Sequence, residues 1–289
     1  MSKEAGKTAS GPGALVAIEQ FYPSEQRIID DDIAYRVLSP GFRAFVQLMR
    51  PLWARNLMIR RSDRGDFPGM WGGMLCRKRY IDERLIEAVG RIDALVNLGA
   101  GMDTRAYRSA FLEDVPVWEV DLPEVIQQKK DGLKRALGTA PPNVTLVPID
   151  FDHEDLGEAL NTHGYSTMSR TFFILEGVTQ YLTEKGLKST FDFLATACSV
   201  SRLAFTYVRK DFIDGLDMRG WPRAYKKFVQ TGVWLLGLEP EGLAGFLKGY
   251  GWRLVEDSGY DELAEKYINP TGRKLATTTV ERIAYAEKP

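Results

Sequence analysis

The stretch that decides the fold of this chain is Leu95-Val96-Asn97-Leu98-Gly99-Ala100-Gly101-Met102-Asp103-Thr104-Arg105. Its apolar part, Ala94–Leu98, predicts a β-strand, and the glycines that follow predict a sharp turn into a helix over residues 103–110. Such a turn brings backbone N–H groups and a helix N-terminus against a ligand. We therefore expect Gly99, Ala100 and Gly101 to contact a nucleotide or a nucleoside.

An acidic residue ends the next predicted strand. The apolar run Val115–Val120 is followed by Asp121, which stands 22 residues after Gly99. A carboxylate at the tip of the second strand accepts hydrogen bonds from the two ribose hydroxyls, and a spacing of about 20 residues is usual for this contact. The sequence therefore predicts that Asp121, with the adjacent Leu122, binds the ribose of a nucleoside.

Two cofactor classes fit a glycine turn followed by an acid. A nicotinamide dinucleotide favours Gly-x-Gly-x-x-Gly, and here the third glycine position is Thr104. S-adenosylmethionine has no pyrophosphate and needs no third glycine. A tight turn that binds no ligand is the structural alternative. The incomplete fingerprint favours S-adenosylmethionine over a nicotinamide cofactor.

The residues around the turn resemble one family. Asn97 to Arg108 reads Asn-Leu-Gly-Ala-Gly-Met-Asp-Thr-Arg-Ala-Tyr-Arg, which is similar to the glycine motif of the leucine carboxyl methyltransferase family. Asp-Thr-Arg after Gly-x-Gly-x is unusual among methyltransferases in general, so the resemblance is specific. It implies S-adenosyl-L-methionine as cofactor, S-adenosyl-L-homocysteine as product, and an N-terminal helical region that covers the cofactor site.

Two further motifs resemble that family. Arg77 begins Arg-x-x-Tyr-x-Asp ahead of the turn; the resemblance implies that it binds the carboxylate of the cofactor's methionine part, with Arg79 as the second candidate. The segment from Glu176 to Leu182 is similar to the family's Glu-Gly-x-x-x-Tyr-Leu. This implies that Glu176 contacts the methionine end and that Tyr181 lines the reaction pocket. The structural alternatives are a solvated basic face at Arg77 and a helix cap at Glu176.

Acidic and aromatic residues follow the third predicted strand. Asn143–Ile149 alternates in the manner of a strand and leads into Asp150-Phe151-Asp152. The Asp150 carboxylate can accept a hydrogen bond from an exocyclic amine, and Phe151 can support a flat ring, which together suit adenine. Asp152 is expected to cap the next helix instead.

Composition excludes several function classes. The formal net charge is −1, so the chain lacks the basic surface of a general nucleic-acid binder. Two distant cysteines, Cys76 and Cys198, and two histidines, His153 and His163, give neither a disulfide framework nor metal-ligand spacing. No stretch approaches 18 apolar residues, so we expect no membrane span, no signal peptide and a cytoplasmic location.

Strand–helix alternation over residues 93–208 predicts an α/β fold with a doubly wound, mainly parallel sheet. The resemblance makes this the seven-stranded, Rossmann-like sheet of class I methyltransferases, with an antiparallel last strand. Its predicted strand tips bring together Gly99, Gly101, Asp121, Asp150 and Glu176. The predicted divisions are a disordered tail (1–13) and one domain (14–289), made of an N-terminal helical cap (14–92), the cofactor-binding core (93–208), a lid insertion (209–251) and the final strands (252–289).

These observations predict an S-adenosylmethionine-dependent O-methyltransferase that acts on a carboxylate or other acidic oxygen of a small molecule. A carboxylate is ionised near neutral pH and needs no base, and neither histidine stands where a base is needed. Tyr181 and Arg209 are the candidates for orienting the acceptor. The alternatives are a nicotinamide-dependent oxidoreductase and a non-catalytic protein that keeps the fold for binding.

Overall fold

Within residues 10–289, which the computed structural model describes, seven strands form one sheet. The strands are β1 (Ala94–Leu98), β2 (Val117–Asp121), β3 (Val144–Pro148), β4 (Thr171–Leu175), β5 (Arg202–Val208), β6 (Arg253–Gly259) and β7 (Glu281–Glu287). Their order is β3-β2-β1-β4-β5-β7-β6. The first five strands are parallel, and β7 runs antiparallel to both of its neighbours. The predicted mainly parallel sheet with an antiparallel last strand is confirmed.

Helices precede the sheet and connect its strands. The N-terminal region contains α1 (Ser10–Glu19), α2 (Ala34–Val37), α3 (Pro40–Leu48), α4 (Leu52–Arg64) and α5 (Met70–Ala88). The later helices are α6 (Arg105–Arg108), α7 (Pro123–Leu137), α8 (Leu156–Thr162), α9 (Glu184–Ala195), α10 (Lys210–Ile213), α11 (Pro222–Ala224), α12 (Pro240–Gly249) and α13 (Tyr260–Tyr267). A π-helical turn, Tyr225–Val229, continues α11, and 3₁₀ turns occur at Ser24–Gln26, Ala110–Leu112, Thr179–Tyr181 and Asn269–Thr271.

The sheet is buried on both faces, as its apolar strand sequences require. Every residue of β4 is buried. Phe172 and Ile174 belong to the hydrophobic cluster that contains α1 and α5, whereas Phe173 and Leu175 belong to the cluster that contains α8, α9 and α12. Successive side chains of a strand point to opposite faces, so a strand covered on both sides is apolar throughout.

The strand order reverses at β1. This strand lies between β2 and β4, with Leu98 aligned with Val120, so the turn after β1 lies beside Asp121 at the end of β2. Ligands of open α/β sheets bind at the carboxyl ends of the strands where the order reverses. Gly99, Asp121 and Glu176 therefore share the edge that was predicted for the cofactor.

Two predicted boundaries are wrong for local reasons. The helix predicted over residues 103–110 is only Arg105–Arg108, because the Asp103 carboxylate accepts the Arg105 N–H at 2.7 Å and Ser109 is extended. The tail predicted over residues 1–13 falls mainly outside the described residues, but its last four residues belong to α1. The next five residues of α1 are buried in the core, so burial of this helix begins at the predicted domain start, residue 14.

Candidate functional site

A cavity of about 460 Å³ opens at the carboxyl ends of β1, β2 and β4. Its polar side is formed by the turn after β1, the tips of neighbouring strands and α5, and includes Arg77, Lys78, Asn97, Gly99, Ala100, Gly101, Asp103, Asp121, Glu176 and Glu281. Its apolar side comes from the N-terminal helices and the 209–251 segment, and includes Phe42, Phe45, Met58, Phe67, Met70, Met74, Trp221, Phe228 and Trp234. The cavity therefore suits a charged group at one side and an apolar group at the other.

The turn after β1 requires its glycines. Gly99 has φ +71° and Gly101 has φ +46°, in the region where only glycine avoids a steric penalty. A β-carbon at Gly99 would overlap Cγ2 of Val178, so the turn touches the loop after β4. The N–H groups of Gly99 and Ala100 donate to the Val120 carbonyl at 2.7 and 3.0 Å. These two amides are therefore paired within the fold, while both residues line the cavity as a ligand contact requires.

Asp121 is held in place by two backbone amides. Gly101 N–H donates to Oδ2 and Leu122 N–H donates to Oδ1, both at 2.7 Å. Each carboxylate oxygen can accept a further hydrogen bond, so the pair of oxygens remains able to bind two hydroxyls. Burial raises the pKa of Asp121 to about 6, although the hydrogen bonds from Gly101 and Leu122 lower it. The Leu122 side chain is itself buried outside the cavity wall.

The raised pKa of Asp121 gives a prediction for nucleoside binding. Because a diol donates best to an ionised carboxylate, affinity should fall as the pH drops through about 6. At pH 5 about a tenth of the group stays ionised, so we expect S-adenosylhomocysteine to bind about tenfold more weakly than at pH 8. Isothermal titration across this range measures the effect. The Asp121→Asn variant is the control, since it should bind weakly at every pH; an equally steep profile in this variant would contradict the assignment.

The Arg77 guanidinium lies between two glutamates. Nε donates to Glu176 Oε1 at 2.9 Å, and Nη1 donates to both carboxylate oxygens of Glu281 at 2.9 Å. Burial opposes the charged form, but Glu281 and Glu176 together raise the pKa of Arg77 above its usual value. Arg79, the second candidate, instead pairs with Glu83 at 3.1 Å on the exposed face of α5. Only Arg77 of the two lines the cavity.

Glu176 is surrounded by three cations. Oε1 lies 2.9 Å from Arg77 Nε and 3.2 Å from Lys78 Nζ, and Oε2 accepts from Arg105 Nη1 at 2.8 Å. Burial raises the pKa of this carboxyl, but the charges of Lys78, Arg105 and Arg77 outweigh it and hold the pKa well below its usual value. Glu176 is therefore ionised at neutral pH and holds the cations together.

Sequence reasoning missed Arg105, which connects these charges. Its side chain is 2% exposed. Nε donates to Asp82 at 2.6 Å, Nη1 donates to both Glu176 and Asp103, and Nη2 donates to the Lys78 carbonyl at 3.2 Å. The Asp-Thr-Arg sequence could have indicated this role. An arginine that is buried behind a glycine turn requires acidic partners. Arg105 thereby fixes α5, the turn and the tip of β4 relative to one another.

The residue at the third glycine position also has a structural role. The Thr104 hydroxyl donates to the Asp31 carboxylate in the N-terminal region. Asp31 also lies 3.2 Å from Arg108 Nε and accepts the N–H groups of Ile33 and Ala34 at 3.0 and 2.8 Å. Threonine therefore connects the helical cap to the glycine turn at the position where a dinucleotide site has its third glycine.

The residues predicted to bind adenine lie outside the cavity wall. Asp150 accepts the Asp152 N–H at 3.1 Å and contacts His153 Nδ1 at 2.9 Å within its own turn. Phe151 is buried in the cluster beneath the sheet that contains Leu156. Both follow β3, which is paired with β2 and thus lies beside the ribose-binding candidate. Their role toward adenine stays a prediction.

The two candidates for orienting an acceptor differ in position. Tyr181 lines the cavity, with its ring centroid 6.4 Å from that of Trp234. Arg209 does not line it, because its guanidinium binds the Asp211 carboxylate at 3.1 Å. Asp211 is also bound by Arg219. The orienting role of Arg209 stays a prediction, with its side chain paired to a nearby acid and outside the cavity wall.

Two capping expectations are also corrected. Helix α8 is capped by Asp155, whose carboxylate accepts the Glu158 N–H at 2.7 Å; Asp152 instead accepts a hydrogen bond from Thr183. Helix α9 is capped by Thr183, which accepts the Gly186 N–H at 3.0 Å. Glu176 therefore caps neither helix, and its carboxylate is committed to the charged cluster.

Aromatic rings form the apolar side of the cavity. We call Phe67, Trp221, Phe228 and Trp234 the aromatic chamber. Phe228 stacks on Trp234 with a centroid separation of 4.9 Å and an interplanar angle of 13°, and Phe67 meets Trp221 edge-on at 5.5 Å. Offset and edge-on ring pairs stabilise an apolar pocket beyond the area that they bury. The 209–251 segment and the region before α5 thus build one wall together.

Neither histidine lines the cavity. Across residues 10–289 no helix is both long enough and apolar enough to cross a membrane. In the same described part of the chain, no three His, Cys, Asp or Glu residues are grouped so that they could hold a metal ion.

Comparison with known sequences identifies relatives over nearly the whole chain. The sequence profile described as leucine carboxyl methyltransferase matches residues 9–195, which is more than half of the chain. A Mycobacterium tuberculosis H37Rv protein with the provisional name S-adenosyl-L-methionine-dependent methyltransferase is 30% identical, over 94% of this chain and 94% of its own length. A Mycobacterium avium protein with the same provisional name is 28% identical, over 88% of this chain and 85% of its own length.

Comparison with solved structures supports the fold. A DUF574 family protein from Streptomyces avermitilis superimposes with a TM-score of 0.58 at 13% identity, covering 95% of this chain and 97% of that one. A provisionally named methyltransferase from Thermobifida fusca also has a TM-score of 0.58, at 14% identity, covering 88% of this chain and 94% of that one. At such low identity the likeness concerns the arrangement of the sheet and helices alone.

Proposed function

Because this chain belongs to the leucine carboxyl methyltransferase family, we propose that it transfers a methyl group from S-adenosylmethionine to a carboxylate or other acidic oxygen of a small molecule. Its S-adenosylmethionine-dependent methyltransferase activity follows from the family and from relatives that span most of the chain. The observation that supports the proposal is the two-sided cavity. Charged groups on one side fit the cofactor, and apolar rings on the other fit the acceptor.

The polar side of the cavity suits this cofactor. Asp121 retains acceptor capacity for a ribose diol, as its hydrogen bonds leave lone pairs on both oxygens. Arg77 and Glu176 present opposite charges next to each other, which matches the carboxylate and ammonium groups of a methionine end. Asp150 and Phe151 remain the proposed adenine contacts. When bound, the cofactor supplies a methyl group on a sulfonium sulfur, whose C–S bond breaks as the acceptor oxygen forms the new O–C bond.

The chain's own residues contribute alignment and exclusion of water. The aromatic chamber and the methionines beside it keep water away from the acceptor, which favours attack by an ionised oxygen. Tyr181 lines the cavity next to Trp234 and is proposed to orient that oxygen. An acceptor that is already ionised releases no proton when it is methylated. A carboxylate acceptor therefore needs no general base.

The two alternative functions differ from this proposal in measurable ways. A nicotinamide-dependent oxidoreductase would need its dinucleotide to approach the chain closely at Thr104. The hydroxyl of this residue is bound to Asp31. A non-catalytic binding protein would bind no cofactor. We expect isothermal titration to detect S-adenosylhomocysteine and to give no signal with NAD or NADP. Binding of NAD without S-adenosylhomocysteine would favour the oxidoreductase, and binding of neither would favour the non-catalytic protein.

The acceptor chemistry is tested with S-adenosylmethionine that carries a deuterated methyl group. After incubation with cell extract, mass spectrometry should find small molecules that gain the labelled methyl group as an ester or ether. For a carboxylate, kcat should be nearly constant between pH 6 and 9, whereas a phenol would show a rate that rises with pH. Tyr181→Phe should lower kcat/KM about tenfold without changing S-adenosylhomocysteine affinity. Labelled N-methyl or C-methyl products alone would overturn the proposal.

A further inference from the structure

Gln180 places an unsatisfied amide in the cavity wall. It is the middle residue of the 3₁₀ turn Thr179–Tyr181 after β4, and its side chain is 5% exposed. Its Oε1 is buried and, within residues 10–289, has no hydrogen-bond partner. Buried side-chain amides in proteins are nearly always hydrogen-bonded, so an exception in a cavity wall points to a ligand.

Trp234 presents the complementary group. Its indole Nε1 is buried and also has no partner in the described chain. By contrast, Trp221 in the same aromatic chamber donates its Nε1–H to the Pro68 carbonyl at 2.8 Å. Of the two tryptophans in the aromatic chamber, the unsatisfied donor therefore belongs to Trp234.

The backbone segments that carry the two groups contact each other. The backbone carbonyl of Gln180 accepts the N–H of Leu235, the residue after Trp234, at 2.7 Å. The Trp234 ring is fixed by its stacking on Phe228 and by its edge-on contact with Tyr181. An amide and an indole N–H are thus positioned in an otherwise apolar wall. A hydroxyl group can satisfy both, because it donates one hydrogen bond and accepts others.

One cation lies where the cavity meets solvent. Lys227 is exposed, lines the cavity, and has its Nζ 5.3 Å from the ring centroid of Phe228 and 5.8 Å from that of Phe67. Among the described residues it forms no ion pair with an acid, in contrast to Arg77 and Lys78 at the polar side. Its charge favours entry of an anionic molecule into the apolar part of the cavity.

We propose that the methyl acceptor is a ring-bearing carboxylic acid that also carries a hydroxyl group, and that Gln180 and Trp234 bind this hydroxyl. The inference rests on the proposed function and specifies the substrate class for the same cavity. The rings of the chamber bind the acceptor's ring system, Lys227 attracts its carboxylate during entry, and the hydroxyl selects among acids of similar size. A site built to hydrogen-bond a substrate hydroxyl discriminates strongly against analogues that lack it.

The test uses 2-naphthoic acid and its 5-, 6- and 7-hydroxy derivatives as probes. Each is titrated into the S-adenosylhomocysteine-loaded protein by isothermal calorimetry. At least one hydroxy isomer should bind tenfold or more tightly than 2-naphthoic acid. Gln180→Leu and Trp234→Phe should each reduce that preference to threefold or less, since both remove a hydrogen-bonding group and leave an apolar side chain at the position. Gln230→Leu, at an exposed position in the same segment, is the matched control and should retain the full preference.

Two results overturn the inference. One is the absence of a tenfold preference in the unchanged protein, including the case in which none of these acids binds. The other is a preference that survives both substitutions. S-adenosylhomocysteine affinity is measured first for every variant. This measurement distinguishes failure of the inferred substrate class from failure of the proposed methyltransferase function. If the cofactor product binds normally while the acids are not discriminated, only the substrate class is wrong.

Discussion

Gly99→Ala should destabilise the protein by about 2–5 kcal/mol and abolish measurable S-adenosylhomocysteine binding. Gly99 has φ +71°, a conformation that costs an L-residue about 1–2 kcal/mol. The new methyl group would also overlap Val178 Cγ2, and overpacking of this kind costs roughly 1–3 kcal/mol. Relieving the overlap requires the turn to move away from the loop after β4, which displaces both from the cavity. Chemical denaturation and isothermal titration measure the two effects.

The chain contains a matched control for this prediction. Gly90 has a similar φ of +79°, but an added β-carbon there meets nothing within 4 Å. Gly90→Ala should therefore cost only the conformational part, about 1–2 kcal/mol, and leave ligand affinity unchanged. In the double variant Gly99→Ala with Val178→Ala, the second substitution should recover part of the lost stability. Equal losses for Gly99→Ala and Gly90→Ala would show that the close contact with Val178 has no energetic importance.

Glu176→Gln should cost about 3–5 kcal/mol of unfolding free energy and weaken S-adenosylhomocysteine binding at least 100-fold. The substitution leaves Arg77, Lys78 and Arg105 without their shared acid, and breaking a buried ion pair from one side has a cost of this size. Binding is weakened in addition because the side chain proposed to contact the ammonium of the methionine end loses its negative charge. Urea denaturation gives the first quantity and calorimetry the second.

The pH dependence of this loss has a defined sign. The folded pKa of Glu176 lies well below its usual value, so the ionised group stabilises the fold at neutral pH. That contribution is lost as the pH falls below the unfolded value of about 4.3 toward the folded pKa. The difference in unfolding free energy between the unchanged protein and Glu176→Gln should therefore become smaller below pH 4. Glu184→Gln, an exposed acid on the next helix, should change stability by less than about 0.5 kcal/mol. A Glu176→Gln protein as stable as this control would refute the role of Glu176 in the charged cluster.

Much of the fold was predictable because its signals are local. The apolar run before Gly99 and the acid that ends β2 are each recognised from neighbouring residues in the sequence. Parallel strands then bring their carboxyl ends to one edge of the sheet. Arg105 and Glu281 were not assigned because their partners are distant in sequence. Arg105 reaches Glu176 across 71 positions, and Arg77 reaches Glu281 across 204. No local pattern specifies such pairs, since they form only when the sheet and helices have packed.

Some groups that were expected to meet a ligand already have a partner within the fold. The N–H groups of Gly99 and Ala100 bind the Val120 carbonyl, and the Arg209 guanidinium binds Asp211 two residues later. Burial also depends on tertiary structure: Gln180 is buried where the 209–251 segment meets the loop after β4, through the Leu235 N–H. Sequence patterns predicted several residues that line the cavity, but not which of their atoms are already paired.

The position of β7 has a consequence for biosynthesis. This strand lies between β5 and β6 and carries Glu281, which binds Arg77. A nascent chain can therefore form the glycine turn early, while Arg77 lacks one of its two acids until residues 281–287 have left the ribosome and entered the sheet. The charged wall of the cavity is therefore completed only when β7 has inserted between β5 and β6.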